Sequence, residues 1–332
     1  MPTTRYLSTY RHKEIRLIAQ LAQRGQSLAF VGLAGTGKSN LVSFLRDGTH
    51  LTPYLGNDTA RVHFASIDGN TWQQTPDHLW QLMLEGMDKS QSLATGNTHS
   101  GPAPAGPKDA LPRLKERIKS VCQESGCQLV FILDDFDGVL RIGPLPMLEQ
   151  LNVLRSDGNR DRLSYLLFTK KLPHVLGRAH RLEDNSKFYD LFRHHIFALE
   201  PYDNEDAVHM LDYLNKTAGK PIGRRYYGEI LTLAGGHARL LSVIVGIWAQ
   251  SREPSGDRVA YFGAQPEVQQ ECRRLWQGLH QHEQEVAVLA AKGQQTAHHA
   301  DVMDHLLRRG VLKSIAPIEW FSPLFPWVLR RE

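Results

Sequence analysis

The sequence has few cysteines and no long apolar run. Only three of its 332 residues are cysteines, namely Cys122, Cys127 and Cys272. Their spacing does not complete the four-ligand set of a structural zinc site, so we expect reduced thiols. No stretch of about eighteen apolar residues is present that could form a membrane-spanning helix, and the first residues contain no secretory apolar core. These absences predict a cytoplasmic protein with no membrane partner.

A strong excess of either charge is also missing. The chain has 39 basic and 35 acidic residues, and its formal net charge of +4 permits an anionic partner without demanding one. Hydrophobic residues make up 41% of the chain, which is a globular composition. A chain of this length exceeds one compact core of ordinary size, so we expect two or three modules.

The sequence does contain a glycine-rich loop with a specific spacing. The pattern G-x-x-x-x-G-K-[ST] lies between a predicted strand and a predicted helix that ends near Gly48. In such loops the backbone N–H groups surround phosphates, the lysine reaches the β- and γ-oxygens, and the serine hydroxyl binds Mg²⁺. A glycine-rich turn that binds nothing is the alternative. We predict an ATP site formed by Gly32, Leu33, Ala34, Gly35, Thr36, Gly37, Lys38, Ser39 and Asn40.

A group of acidic residues follows the apolar run at 128–133. With the glycine-rich loop elsewhere in the chain, we interpret Asp134 as an acid that holds Mg²⁺ through water, together with Ser39. Asp135 is the candidate base or orienter of the attacking water, whereas Asp137 is interpreted as a cap or loop acid. The competing interpretation is that these acids simply begin a turn.

Three further residues are candidates for contact with the phosphates. Thr169 ends a predicted strand, where a polar side chain could contact the γ-phosphate or the attacking water; it could also merely terminate the strand. Arg193 could reach the nucleotide of a neighbouring subunit, or pair with Asp190 on its own surface. Arg239 opens a predicted helix and could close over the nucleotide, or remain an exposed helix arginine.

Short apolar runs alternate with helical segments over the first 200 residues. This alternation is typical of βαβ units, and a continuous apolar run indicates a parallel strand that is covered on both faces. We therefore predict an α/β domain whose parallel sheet has helices on both faces. The strands are predicted at 27–32, 61–67, 128–133, 163–169 and 195–199.

The remaining sequence divides into segments of different composition. Residues 90–108 are rich in Ser, Gly and Pro and predict a flexible insertion. Beyond residue 200 the pattern is helical. We predict an α/β domain over 1–200, a helical domain over 201–255 and a last domain over 256–332, with a hinge at 253–257.

The order of these motifs resembles that of AAA+ and STAND-type signalling ATPases, whose relatives include archaeal origin-initiator ATPases. The resemblance covers about residues 10–250 and implies a P-loop NTPase fold, with residues 201–255 forming a lid. The pattern from Ala300 to Phe325 resembles the winged-helix domain that these ATPases carry. The resemblance also implies ATP and Mg²⁺ as cofactors and a nucleotide-dependent homo-oligomer.

The sequence departs from the family pattern at two positions, and the second departure indicates slow hydrolysis. Ala238 stands where STAND proteins usually have proline, and Asp135 stands where many AAA+ enzymes have glutamate. A shorter acid positions water less well. We therefore expect a nucleotide-dependent switch that assembles with, or signals to, partner proteins.

Two other functions stay open. The first is a DNA-binding ATPase that regulates replication or transposition, with Arg308 and Arg309 on the phosphates of duplex DNA. The second is a scaffold that binds ATP or ADP without hydrolysing it.

Overall fold

The computed structural model describes residues 5–95, 109–219, 222–250 and 256–331. The chain forms two compact units. The sheet unit comprises His12–Val31 and Lys38–Phe197, and the helical unit comprises Met1–Arg11, Gly32–Gly37 and Ala198–Glu332. The glycine-rich loop is therefore divided, because its first six residues belong to the helical unit and Lys38 belongs to the sheet unit.

A five-stranded sheet forms the centre of the sheet unit. Its strands are β1 (Leu28–Val31), β2 (Val62–Asp68), β3 (Gln128–Asp134), β4 (Leu163–Thr169) and β5 (Ile196–Ala198). Their order in the sheet is β2-β3-β4-β1-β5, and β2 with β3, β3 with β4 and β1 with β4 pair in parallel. All residues of β4 are buried, as are Leu129 to Leu133 of β3. Both faces of these strands are thus covered, which confirms the predicted α/β architecture.

The helices of the sheet unit alternate with its strands. They are α1 (His12–Gln23), α2 (Lys38–Arg46), α3 (Thr52–Leu55), α4 (Pro76–Thr95), α5 (Ala110–Lys119), α6 (Asp137–Ile142), α7 (Leu145–Ser156), α8 (Pro173–Leu176), α9 (Leu182–Asn185) and α10 (Lys187–Asp190). In α1, Ile15, Ile18 and Ala22 recur at spacings of three and four and are buried, so one stripe of the helix packs on the core. A π-helical turn, Ser120–Glu124, follows α5.

The first residues of the predicted flexible insertion are helical. Helix α4 continues to Thr95, so residues 90–95 are helical. The rest of the predicted insertion, 96–108, lies outside the described residues, as do residues 253–255 of the predicted hinge.

The helical unit contains α11 (Asn204–Thr217), α12 (Tyr227–Ala234), α13 (Ala238–Gln250), α14 (Arg258–Gly263), α15 (Pro266–Gln277), α16 (Gln281–Ala291), α17 (Ala300–Arg308), β6 (Leu312–Ile315), β7 (Ile318–Trp320) and α18 (Leu324–Leu329). Strands β6 and β7 form an antiparallel hairpin. This hairpin follows α16 and α17, which are themselves preceded by α14 and α15. Asp203 caps α11 by accepting the N–H of Asp206 at 2.9 Å.

Residues from the two C-terminal predicted domains pack together within the helical unit. The Ser322 hydroxyl donates to the Leu233 carbonyl at 2.5 Å, and the rings of His237 and Phe321 lie 5.7 Å apart. Phe321 is 1% exposed. This aromatic side chain is therefore a core residue.

None of the helices in the described ranges combines the length and the apolar character that a membrane crossing requires.

Candidate nucleotide site

The carbonyl groups of three consecutive loop residues accept hydrogen bonds within the helical unit. In a trans peptide the N–H points opposite to the preceding C=O, so these bonds direct the N–H groups of residues 35–37 away from the three donors. The three bonds to the loop carbonyls fix the loop backbone, and the Thr36 N–H donates within the loop to the Leu33 carbonyl at 3.5 Å. The bonds run from His237 Nε2 to Ala34 O (2.9 Å), from Arg239 N to Gly35 O (3.0 Å) and from Arg11 Nη2 to Thr36 O (2.7 Å).

His237 is fully buried, and its tautomer follows from its two contacts. Its Nδ1 accepts the N–H of Leu240 at 3.2 Å, which leaves Nε2 to carry the proton that it donates to Ala34. The neutral imidazole thus donates a hydrogen bond to the loop and accepts one from the first turn of α13.

Gly35 is required by its conformation and by its neighbours. Its φ of +82° lies in the left-handed region. A Cβ at this position would lie 2.7 Å from Cβ of Arg239 and 2.8 Å from Oε1 of Glu271. No side chain fits here, because the helical unit packs directly against the loop backbone.

Lys38 opens α2 in the sheet unit and is 6% exposed. Burial lowers the pKa of its ammonium group to about 8, while the charges of Asp135, Asp137 and Asp134 oppose that shift. The ammonium therefore still carries its charge at neutral pH. The predicted phosphate-binding lysine and the predicted acids form one electrostatic cluster.

Asp135 is an ion-paired carboxylate in a strained backbone position. Its φ is +45°, its Oδ1 lies 3.0 Å from Lys170 Nζ, and its Oδ2 accepts a hydrogen bond from Asn70 at 3.0 Å. Burial acts to raise the pKa of Asp135, but the hydrogen bonds from Lys170 and Asn70 and the charges of Lys170 and Lys38 lower it overall. A carboxylate of lowered pKa is a weak base, so this geometry suits the orienting of water better than removal of its proton.

The pKa of Asp134 is shifted in the opposite direction to that of its neighbour Asp135. Burial, and then the charge of Asp135, raise the pKa of the Asp134 carboxyl to about 6, although Lys38 opposes the shift. A nearby cation stabilises the ionised form of a carboxyl whose pKa is raised in this way.

The turn at Asp134 and Asp135 lies against the end of β2. A Cβ on Gly69 would come within 2.7 Å of the Asp135 carbonyl oxygen and 3.1 Å of the Asp134 carbonyl oxygen. The absence of a side chain at residue 69 therefore lets the backbone after β2 approach the acidic turn.

Asp137 and Thr169 complete this corner of the sheet unit. Asp137 is the first residue of α6, and its carboxylate accepts the N–H of Lys170 at 3.0 Å, so it holds the backbone after β4 rather than capping a helix. Thr169 ends β4 and is fully buried. Its Oγ1 has no hydrogen-bond partner in the part of the chain that the structure describes. A buried hydroxyl without a partner is the polar group expected where a ligand or water binds.

The residues predicted to hold Mg²⁺ have suitable chemistry. Ser39 is exposed and supplies a hydroxyl, and Asp134 supplies a carboxylate. The described residues contain no group of three His, Cys, Asp or Glu side chains placed to hold a metal. Mg²⁺ usually binds through one or two protein oxygens together with substrate phosphates and water, so a serine and an aspartate fit this ion.

The two candidate arginines differ in their contacts. Arg193 donates to Asp190 Oδ1 at 2.8 Å and to the Glu183 carbonyl at 2.5 Å, so within a single chain it adopts the surface pairing considered above. Arg239 lies in the first turn of α13, as predicted, and its side chain is exposed.

The interpretation of Arg309 as a DNA-phosphate contact is wrong. Its side chain is 5% exposed and forms an ion pair with Glu283, which is equally buried. Arg309 Nη2 also donates to the Gly278 carbonyl at 3.1 Å. Arg308, by contrast, is 75% exposed and pairs with Asp304 at 2.7 Å. The first arginine is part of the fold, and only the second lies on the surface.

Several residues around the acidic turn of the sheet unit and around the loop in the helical unit are not identifiable from the sequence. Their contacts join residues that lie far apart in the chain, and they belong to no motif of fixed spacing. Lys170 has the sequence context of a solvated lysine beside Thr169. The others are Arg11, Asn70, His237 in its bonding role, and Glu271.

Comparisons with known proteins agree with the fold. No protein-family model matches the sequence, and no curated protein matches it either. The structure is similar to the Walker-type ATPase PABY2304 of Pyrococcus abyssi, with a TM-score of 0.61, 15% identity, and coverage of 96% of this chain and 95% of that one. It is also similar to the Aeropyrum pernix ORC2 protein, with a TM-score of 0.46, 14% identity, and coverage of 97% and 93%. Cdc6p from Pyrobaculum aerophilum matches with a TM-score of 0.46, 13% identity, and coverage of 100% and 96%.

The first of these likenesses covers nearly the whole of both chains, and at its level of identity it shows the fold alone. The chain has the fold of a Walker-type P-loop ATPase, which confirms the predicted P-loop NTPase fold. The resemblance inferred from the motifs is thereby confirmed at the level of fold.

Proposed function

We propose that the chain is a slow ATPase of the AAA+/STAND class that acts as a nucleotide-dependent switch. The observation that carries this proposal is the cluster around Lys38, in which a buried, charged lysine of the P-loop motif interacts with Asp134, Asp135 and Asp137. A cation of a glycine-rich loop beside a group of acids is the charge arrangement of a metal-nucleotide site.

Each residue of the cluster has a role in this proposal. The N–H groups of Gly32 to Asn40 and the Lys38 ammonium bind the phosphates. Ser39 and Asp134 hold Mg²⁺, which neutralises phosphate charge when it is bound. Asp135, held by Lys170 and Asn70, orients water, and the Thr169 hydroxyl contacts the γ-phosphate or that water.

The domain boundaries at 200 and 255 belong to the same proposal. Residues 201–255 would act as the lid that carries Arg239, and residues 256–332 as a winged helix, in line with the helices α16 and α17 and the hairpin that follows them. Nucleotide binding and hydrolysis would alter which surface is shown to a partner protein.

Binding and hydrolysis are tested by separate variants. Lys38→Ala removes the cation beside the phosphates, and we expect ATP affinity to fall by at least about 100-fold in equilibrium binding. Lys89→Ala is the matched control, because Lys89 is 67% exposed on α4 of the same unit. Unchanged ATP affinity in Lys38→Ala contradicts the site assignment.

Asp135→Asn tests the hydrolytic role. Asparagine tolerates positive φ, so the backbone at this position can keep its conformation. We expect phosphate release to fall by about 10- to 100-fold while ATP affinity changes little. Stoichiometric ATP retention without phosphate release in the wild-type protein would instead favour the scaffold function.

A nucleotide-dependent homo-oligomer is the proposed working state, with Arg193 reaching the nucleotide of a neighbour. Particle mass measured with ADP and with a non-hydrolysable ATP analogue tests this state. An Arg193→Ala variant that assembles but hydrolyses as fast as the wild type contradicts the proposed role. Duplex DNA binding stays a prediction that now rests on Arg308 without Arg309.

A further inference from the structure

Glu271 is a buried carboxylate that no sequence motif indicates. It lies on α15, is 5% exposed, and its Oε2 is 3.4 Å from Arg274 Nη1. Its Oε1 has no hydrogen-bond partner within the described ranges. A buried anionic oxygen without a donor is costly for the fold, so its position needs a physical explanation.

The open oxygen of Glu271 faces the glycine-rich loop. Oε1 lies 2.8 Å from the position that a Cβ on Gly35 would occupy, and Cβ of Arg239 lies 2.7 Å from that same position. Glu271, Gly35 and Arg239 all belong to the helical unit. One anionic side chain is thus in contact with the loop that, in the proposed function, binds an anion.

The charges around Glu271 are few. Arg274 lies on the same helix, with its side chain 51% exposed. Arg239 is the charged group on α13, and neutral His237 precedes that helix. The charges of Arg274 and Arg239 lower the pKa of Glu271, but burial outweighs them and raises it overall. Within the described part of the chain, Arg239 is therefore one of two cations that compensate this carboxylate.

We propose that Glu271 sets the nucleotide affinity of the loop by opposing the charge of the phosphates and by competing with them for Arg239. The inference rests on the proposed function and adds regulation of the same site. Like charges in a partly dehydrated site repel more strongly than in water. If Arg239 turns to the phosphates, Glu271 loses one of its two compensating cations. Nucleotide binding and the packing of α15 on the loop therefore oppose each other, and this linkage is reciprocal.

The experiment compares ATP affinity in four proteins by calorimetric titration. Glu271→Gln removes the charge at nearly constant shape, and we expect ATP to bind about tenfold more tightly. Glu267→Gln makes the same change at an exposed position one turn earlier on α15, and its affinity should equal that of the wild type. Equal or weaker ATP binding by Glu271→Gln overturns the inference. Lys38→Ala separates the two proposals: if it binds ATP like the wild type, the proposed function itself fails.

Two further measurements distinguish a charge effect from a change of packing. The gain in Glu271→Gln should be larger for ATP than for ADP, because the additional phosphate carries additional negative charge. Equal gains for the two nucleotides contradict the electrostatic role. Glu271→Met, which lacks both the charge and a donor, should also bind ATP more tightly; a gain confined to the Gln variant would show that its amide creates a new contact.

Competition for Arg239 is tested in a double-mutant cycle. In an Arg239→Ala background, the gain from Glu271→Gln should fall from about tenfold to about threefold, since the share that acts through Arg239 is gone. A full tenfold gain in that background overturns the competition. Thermal unfolding of each variant confirms that the compared proteins are folded.

Discussion

The sheet unit and the helical unit both bury charged side chains, but they do so differently. In the sheet unit, Asp135 and Lys170 remain 26% and 37% exposed and share further partners. In the helical unit, Arg309 and Glu283 are each 5% exposed and pair with one another. The first arrangement leaves charged atoms accessible to a ligand, whereas the second closes them off.

This difference in exposure indicates which ion pair can take part in ligand binding and which one stabilises the fold. Charges that stay partly hydrated can exchange partners at a small cost in free energy. A fully buried ion pair cannot lose one member without leaving an uncompensated buried charge. We infer that the Asp135–Lys170 pair belongs to the reactive groups and that the Arg309–Glu283 pair maintains the fold of the helical unit. Among the described residues of the helical unit, Glu271 is a buried carboxylate with one oxygen that has no hydrogen-bond partner.

The largest expected effect on the free energy of unfolding comes from breaking the buried Arg309–Glu283 ion pair. Arg309→Met leaves Glu283 buried without its cation, and we expect the free energy of unfolding to fall by about 3–5 kcal/mol. Urea-induced unfolding measures this change. Arg308→Met is the matched control on the neighbouring, exposed arginine, and its effect should stay below about 1 kcal/mol. Similar losses of stability in the two variants would contradict the proposed difference between buried and solvent-accessible charges.

A second prediction concerns the loop held by the helical unit. Gly35→Ala forces a Cβ into a left-handed backbone position already occupied by Arg239 and Glu271. We expect a loss of about 2–3 kcal/mol in the free energy of unfolding, together with weaker ATP binding. Gly48→Ala is its control, because a Cβ there meets nothing within 4 Å. A Gly35→Ala protein as stable as the wild type would show that Arg239 and Glu271 do not pack this closely against the loop.

A third prediction uses the pH dependence of Glu271. Because burial raises its pKa in the folded state, the unfolded chain loses this proton first as pH rises, and the folded state is progressively penalised above the ordinary pKa of 4.5. Glu271→Gln should therefore be more stable than the wild type by on the order of 1 kcal/mol at pH 8, with the difference vanishing at pH 4. Thermal unfolding at several pH values measures it. A gain that is constant with pH would point to packing rather than charge.

The smallest effect is expected at the accessible ion pair. The folded-state pKa of Asp135 is lowered, so the pair stabilises the fold above the ordinary aspartate pKa of 3.8, and that contribution is lost as pH falls below it. Lys170→Met should cost less than about 1 kcal/mol at pH 7, because both side chains are partly solvated, and nothing at low pH. A loss of unfolding free energy comparable to that of Arg309→Met would show that the Asp135–Lys170 pair behaves as a buried ion pair.

Periodicity and motif spacing are sufficient to predict much of the fold. The predicted strands β2 to β4 agree with the structure to within about a residue, because their apolar runs are continuous and bounded by polar turns. The glycine-rich loop and Asp134 are identified from fixed local spacing. Local patterns thus predict elements and the side chains at their ends.

Other features depend on contacts between distant parts of the chain. Arg309 resembles a surface arginine in sequence, and only its pairing with Glu283 shows that it is buried. Glu271 is 236 positions from Gly35 in sequence, and no spacing rule joins them. Asn70 bonds to Asp135 because β2 and β3 are neighbours, which their sequences do not specify.

The bonds that Arg193 makes within its own chain affect how copies of the protein could associate. Its guanidinium already has an acidic partner in Asp190 and a carbonyl acceptor at Glu183. Recruitment by a second copy would exchange these internal contacts for external ones, so the net gain in free energy would be modest. Such an exchange favours a reversible, short-lived complex over a permanent one.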